Sequence, residues 1–197
     1  MILSSDGEGW IGRWSPGIGD PTPLGWFTVA AYLVAALLCL RARRLAREER
    51  VAGAQHSSQT FWSVGAVGLF GLGVNKQLDL QSALTELGRV LAKEQGWYDD
   101  RRTVQLAFIA VVLAAALIGL GWLVRVSRKD ARRLRLAIVG AAGLAAFVAI
   151  RASSFHHVDI LLREQLFGLR WNGWLELGGI ACVAVAAARF GRGRSRG

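Results

Sequence analysis

The chain is poor in cysteine, proline, lysine and histidine, and each shortage removes a class of explanation. Its 197 residues include two cysteines, Cys39 and Cys182. Both fall inside apolar runs, with no CxxC spacing, so neither a disulfide framework nor a thiolate metal cluster fits. They read as small buried residues. All three prolines, Pro16, Pro21 and Pro23, lie in the first 24 residues, so nothing downstream is interrupted by proline. The three histidines include no HExxH and no CxxCH, the spacings of a helical zinc site and of attached haem. No GxSxG nucleophile turn and no glycine-rich phosphate loop is present. The N-terminus has no basic segment ahead of an apolar core, so no standard cleavable signal peptide is expected, and the first apolar helix serves as a start-transfer segment.

What the chain has in excess is apolar residues and arginine. It is 53% hydrophobic and 19% charged, with a formal net charge of +10. The positive charge is clustered. Arg41–Arg50 carries five arginines, Arg125–Arg135 carries six Lys and Arg against one Asp, and the tail holds Arg189, Arg192, Arg194 and Arg196. The polar stretches between them are balanced or acidic. Alternation of this kind is the positive-inside pattern of a polytopic membrane protein. The excess charge is assigned to topology, with no nucleic-acid partner implied. The skew to arginine over lysine carries no inference about phosphate.

The sequence therefore predicts an all-α fold: one integral membrane domain, a polytopic bundle of about five transmembrane helices with two short outer amphipathic helices. The expected crossings are 24–40, 60–80, 103–124, 134–154 and 172–189. Residues 1–23 form an irregular outer cap and 191–197 a basic cytoplasmic tail. The second crossing reaches membrane length only by continuing through Asn75-Lys76-Gln77-Leu78-Asp79. The N-terminus is expected outside, the C-terminus in the cytoplasm, and the location is the bacterial inner membrane. Trp10, Trp14, Trp26, Trp97, Trp171 and Trp174 are expected at the outer interface, with Trp62 and Trp122 at the inner one. Gly65, Gly68, Gly71, Gly140 and Gly143 offer close helix approach.

The amphipathic segments are 78–93, with Leu80, Leu84, Leu87 and Leu91 on one stripe, and 155–167. Lys76-Gln-Leu-Asp79 and His156-His-Val-Asp159, offset by 80 residues, suggest an internal repeat of parallel topology.

Charges inside or beside the apolar runs are the visible chemistry. Asn75, Lys76, Asp79, Arg151, His156, His157, Asp159 and Glu176 all fall at expected outer helix ends. Ionisable groups at membrane depth are costly and are normally paired or functional. Asp79 is placed to neutralise Lys76 at i+3, and Asp159 shares a face with His156 and Arg163. The layer is open to several readings: a salt-bridge layer pinning helix ends, a pocket for a lipid, isoprenoid or other small amphiphile, or a metal or haem site. An intramembrane lipid hydrolase using His156 or His157 with Asp79 and Asp159 is the enzymatic alternative. Adjacent histidines diverge by about 100° on a helix, which works against their sharing one ion.

The runs Gly73-Val-Asn-Lys-Gln-Leu-Asp-Leu-Gln81, Gly96-Trp-Tyr98, Arg101-Arg102, Ser154-Phe-His-His-Val-Asp159 and Trp14-Ser-Pro-Gly-Ile-Gly-Asp-Pro21 resemble an uncharacterised family of small bacterial multi-pass membrane proteins. Some members are labelled isopropylmalate isomerase. That activity needs an iron–sulfur cluster held by several thiolates, which two intrahelical cysteines do not supply. The resemblance implies fold and location, and no mechanism. A weaker likeness is to intramembrane hydrolases of the alkaline-ceramidase type. It rests on residue types alone, because the spaced histidine motif is missing.

Overall fold

The computed structural model describes residues 9–53, 58–94, 101–153, 165–166 and 169–191. They are almost entirely helical. The helices are α1 (Pro23–Val51), α2 (Gln59–Leu78), α3 (Leu80–Glu94), α4 (Arg101–Val126), α5 (Ala131–Ser153) and α6 (Trp171–Arg189), with a 3-10 turn over Arg128–Asp130. Gln165–Leu166 and Leu169–Arg170 pair as a two-residue antiparallel ribbon, Gln165 opposite Arg170. The end of the expected 155–167 amphipathic helix is thus extended and not helical. The rest of that segment lies outside the described residues, as do His156, His157 and Asp159, and with them the second copy of the expected repeat.

The all-α expectation holds, but the helix ends differ in an instructive way. The first helix does not stop at Leu40. It runs through the arginine cluster to Val51. Arg, Leu and Glu favour helix, and Ala42 and Ala46 keep its inner face small and fully buried. Its start is set by Thr22, whose hydroxyl accepts from the Gly25 amide at 3.0 Å, with Pro23 in the first turn. Gly53, at φ +91°, ends it.

The core is built by α1, α2, α5 and α6. The α1 helix packs along α2 and α6, and α5 along α6, while α4 leans mainly on α5. Leu123 of α4 is buried, whereas Val111, Leu117, Ile118, Trp122 and Val126 are exposed. Exposed apolar side chains also cover α1 (Phe27, Val34, Leu37) and α2 (Val67, Phe70). An apolar exterior on this scale has a binding or membrane meaning in any fold.

Two helical stretches, Pro23–Val51 and Arg128–Arg151, are long and apolar enough to cross a membrane by length and composition, and Ala110–Val126 is a shorter apolar helix. The other expected crossings are less distinct. Four glycines and Asn75-Lys76-Gln77 dilute α2, and Glu176 with its glycine neighbours does the same for α6.

Close packing falls at particular glycines. A Cβ on Gly140 would stand 2.7 Å from the Gly179 carbonyl, and one on Gly179 2.8 Å from Leu144, so α5 and α6 meet nearly backbone to backbone. Gly73 sits against the Tyr32 ring carbons, while Gly68 and Gly71 face open space, contrary to the close approach expected of them.

Arg41–Arg50, Arg125–Arg135 and Arg189, the described part of the third run, lie at one end of the bundle. There Arg133 of α5 makes a two-pronged contact with Glu49 of α1 at 2.8 and 2.9 Å. Its guanidinium also lies 4.0 Å over the Phe190 ring. Arg41 reaches the Ala188 carbonyl at 3.5 Å, and Ser58 donates to Asp130 at 2.7 Å. Trp62 occupies the centre of this end, edge-on to Phe61 and Phe190 at 5.1 and 5.3 Å. It is fully buried, so it is a core residue and not part of an interfacial belt. The small faces of Ala42 and Ala46 leave the volume that the indole fills.

Candidate functional site at the Lys76 end of the bundle

The opposite end is organised around Lys76. The α2 helix carries it in its last turn, where the partial negative charge of the helix C-terminus favours a cation. The next residues turn away. Asp79 takes the left-handed conformation (φ +47°, ψ +49°) and ends α2. Its carbonyl then accepts from Ser82 and Ala83 to start α3. Because Asp79 has left the helix, the expected i+3 pairing with Lys76 does not form.

Lys76 instead reaches two carboxylates from other elements. Its Nζ lies 3.4 Å from Oε2 of Glu176 on α6 and 3.7 Å from Oδ2 of Asp20 in the N-terminal segment. The other oxygen of Glu176 accepts from the Tyr32 hydroxyl of α1 at 3.2 Å. Arg151, near the end of α5, is close enough for its charge to act on that hydroxyl. The side chains of Glu176, Lys76 and Asp20 are 7%, 18% and 33% exposed, so the chain of contacts passes from the bundle interior to its surface. Asp20 is braced by Thr22, which donates its hydroxyl at 2.6 Å and its amide at 3.2 Å. The hydroxyl bond, helped by the amide and by Lys76, holds the Asp20 carboxyl below the usual carboxylate range.

Gly73 lies against Tyr32, so α2 runs on past Tyr32 before it ends. Lys76 is the third residue from the end of α2 and Glu176 the sixth of α6, so the pair sits near the ends of both helices.

The N-terminal segment fills the space over the end of α2. Ile11 and Trp14 exchange backbone bonds around a tight turn with Gly12 at φ +55°. That turn rests on Glu86 and Val90 of α3. Further on, the Gly19 amide donates to the Gln77 carbonyl at 2.7 Å. A Cβ at Gly19 would come within 2.8 Å of the Lys76 carbonyl, so only glycine seats here. On α3, Ala83, Glu86, Leu87 and Val90 are covered to varying degrees, whereas Leu84 is 54% exposed. The expected leucine stripe is thus partly covered: Leu80, Leu87 and Leu91 are half-buried and Leu84 is not.

Of the eight residues expected in one layer, Lys76 and Glu176 are joined directly, and Arg151 acts on their shared neighbour. Asn75 makes no side-chain hydrogen bond among the described residues, and Asp79 serves as a helix terminator. His156, His157 and Asp159 lie outside the described residues. Two members were missed. Tyr32 was legible as the single tyrosine in an apolar run. Asp20-Pro-Thr-Pro23 signals a helix start, but nothing in that run says that its carboxylate folds onto Lys76. Among the described residues, no three His, Cys, Asp or Glu side chains are grouped to hold a metal ion. No family model, no curated protein and no solved structure matches this chain.

Proposed function

We propose that this is an integral membrane protein of the bacterial inner membrane with five crossings, α1, α2, α4, α5 and α6. Its arginine-rich end lies in the cytoplasm and its Lys76 end faces outward. The gathering of Arg41–Arg50, Arg125–Arg135 and Arg189 at one end supports that orientation, and the apolar exterior supports immersion in lipid. Its role in this reading is binding or structural: the outer polar site takes the headgroup of a small amphiphile, a lipid or an isoprenoid.

The observation that carries the reading is the Lys76–Glu176 pair. Two charges brought together from near the ends of separate helices, under a separate covering segment, are more than a helix needs in order to span. Native mass spectrometry of the detergent-purified protein tests it. A retained lipid-sized adduct that is lost in Lys76→Ala is expected, and its absence from the wild type would refute the binding role. Stoichiometric metal that disappears in His156→Ala, His157→Ala would instead favour the hydrolase. A reporter fused after Gly197 and active only in the periplasm would overturn the orientation.

A further inference from the structure

The N-terminal segment is attached to the bundle by few and separable contacts. Over Ser15–Gly19 every residue is exposed. On the α2 side the attachment consists of the Gly19–Gln77 backbone bond, the close seat of Gly19 on Lys76 and Asp79, and the Asp20–Lys76 ion pair at 3.7 Å. On the α3 side it is the Gly12 turn against Glu86 and Val90. None of these seats buries a large apolar side chain, and segments held this way open far more readily than the core. Beneath them lies a pair of charges that the interior of the bundle does not otherwise expose. Asp20 belongs to the strap and also pairs with Lys76, so lifting the strap takes away one of the two carboxylates that the described residues place on Lys76.

We propose that residues 9–22 form a strap that gates access from the outer solution to the Lys76–Glu176 pair, with Gly19 as its seat and Asp20 as its latch. When seated, the strap shields the ammonium and turns it between two carboxylates. When lifted, it leaves Lys76 on Glu176 alone, beneath an open path to water. An entering headgroup would meet the ammonium first. The gate rests on the orientation proposed above, and its test is built so that the two can fail separately.

The three lysines of the chain provide that test. Lys93 is exposed on α3 at the same end as the site, Lys129 is exposed at the arginine-rich end, and Lys76 is beneath the strap. Spheroplasts expressing the protein are treated with a membrane-impermeant amine-acylating reagent, and the acylation of each lysine is read by peptide mass spectrometry. In the wild type, Lys93 is modified, Lys76 is protected, and Lys129 reacts only after permeabilisation. In Gly19→Val, whose side chain cannot fit against the Lys76 carbonyl, modification of Lys76 relative to Lys93 rises at least tenfold. Asp20→Asn, which keeps the seat and weakens the latch, gives a smaller rise. Unchanged protection of Lys76 in Gly19→Val would overturn the gate, provided that Cys39 stays unreactive to a thiol reagent, which reports an intact core. If Cys39 becomes reactive, Asp20→Asn decides on the same criterion. Modification of Lys129 in sealed spheroplasts would refute the orientation, and the Lys76 comparison repeated on permeabilised material would still judge the strap.

Discussion

The two ends of the bundle solve the problem of ionic contact between helices in opposite ways. At the arginine-rich end, Arg133 and Glu49 meet in a short, two-pronged contact near the surface, and the guanidinium spreads over Phe190. Directional bonds and ring stacking are the advantages arginine has over lysine. At the other end, a lysine sits between two carboxylates at longer range, one buried and one open to the surface. The first arrangement is a fastening: the guanidinium is fixed by a two-pronged bond and a ring at once. The second gives a flexible cation two partners at different depths, which suits a contact that is made and broken. The packing beneath them differs too. Trp62 fills the interior at the basic end, whereas the interior at the Lys76 end is filled by charge and a tyrosine hydroxyl.

If the Lys76 end depends on its buried carboxylate, Glu176→Ala gives the largest loss. It strands Lys76 and the Tyr32 hydroxyl together. Removing one member of a buried pair costs on the order of 3–5 kcal/mol, at the lower end where Asp20 compensates. Unfolding in mixed micelles with increasing SDS measures it. A loss under about 1 kcal/mol would place the pair among surface contacts.

At the basic end the matching substitution is Trp62→Ala, expected to cost about 3 kcal/mol as a large-to-small change in a packed core. Trp62→Phe is expected to cost less than half of that. Among the described residues the buried indole Nε1 has no hydrogen-bond partner, so its removal relieves an unsatisfied donor while most of the ring contact remains. Equal losses in the two variants, read by the same unfolding assay, would mean that the indole nitrogen is bonded.

Arg133→Lys sharpens the contrast between fastening and latch. It keeps the charge but loses the fork and the stacking, for an expected loss of about 1 kcal/mol. The contact is partly exposed, and 0.5 M salt should weaken it in the wild type by less than it weakens the Asp20–Lys76 pair.

The smallest expected effect is the response of the strap to acid. The Asp20 carboxyl is held below its ordinary value of 3.8, chiefly by the Thr22 hydroxyl. A depressed carboxylate contributes stability that is complete above the unfolded value and is lost as pH falls through the folded one. Hydrogen exchange over residues 11–20, corrected for intrinsic rates, should therefore be level from pH 7 to about pH 5 and speed up below about pH 4. Asp20→Asn should remove that acid step, and exchange around Trp62 should not share it.

How much of this was legible in the sequence follows from where the signals lie. Lys76 and Glu176 broke otherwise apolar runs, so the cost of charge in lipid flagged both. The partner of Lys76 was misassigned to Asp79 because a helical i+3 rule was carried across a residue that has left the helix. Asp20 was hidden in a proline-rich segment, where local rules describe the turn and say nothing of what it folds onto. Hydropathy placed Lys76 and Glu176 near the ends of their helices, whereas their connection to Tyr32 emerges only from the register of α2 and α6 against α1. At the basic end, composition identified Arg41–Arg50 as polar, yet it is a buried-faced helix, since two alanines a turn apart, Ala42 and Ala46, carry little weight in an average over ten residues. The choice of Trp62 for the interior over the interface depended on those same alanines.

The central claim is that Lys76 and Glu176 form one energetic unit within the bundle. A double-mutant cycle with Lys76→Met and Glu176→Met, measured by unfolding in mixed micelles, tests it most directly. Each single change leaves an opposite charge buried and should destabilise by about 2 kcal/mol or more, while the double change replaces the pair with apolar side chains of similar length and should recover much of that loss. A coupling of at least about 1 kcal/mol, with the double variant more stable than the less stable single one, is the expected result. Two losses that simply add, leaving the double variant the least stable of the three, would show that the two charges are not held together and would contradict the account.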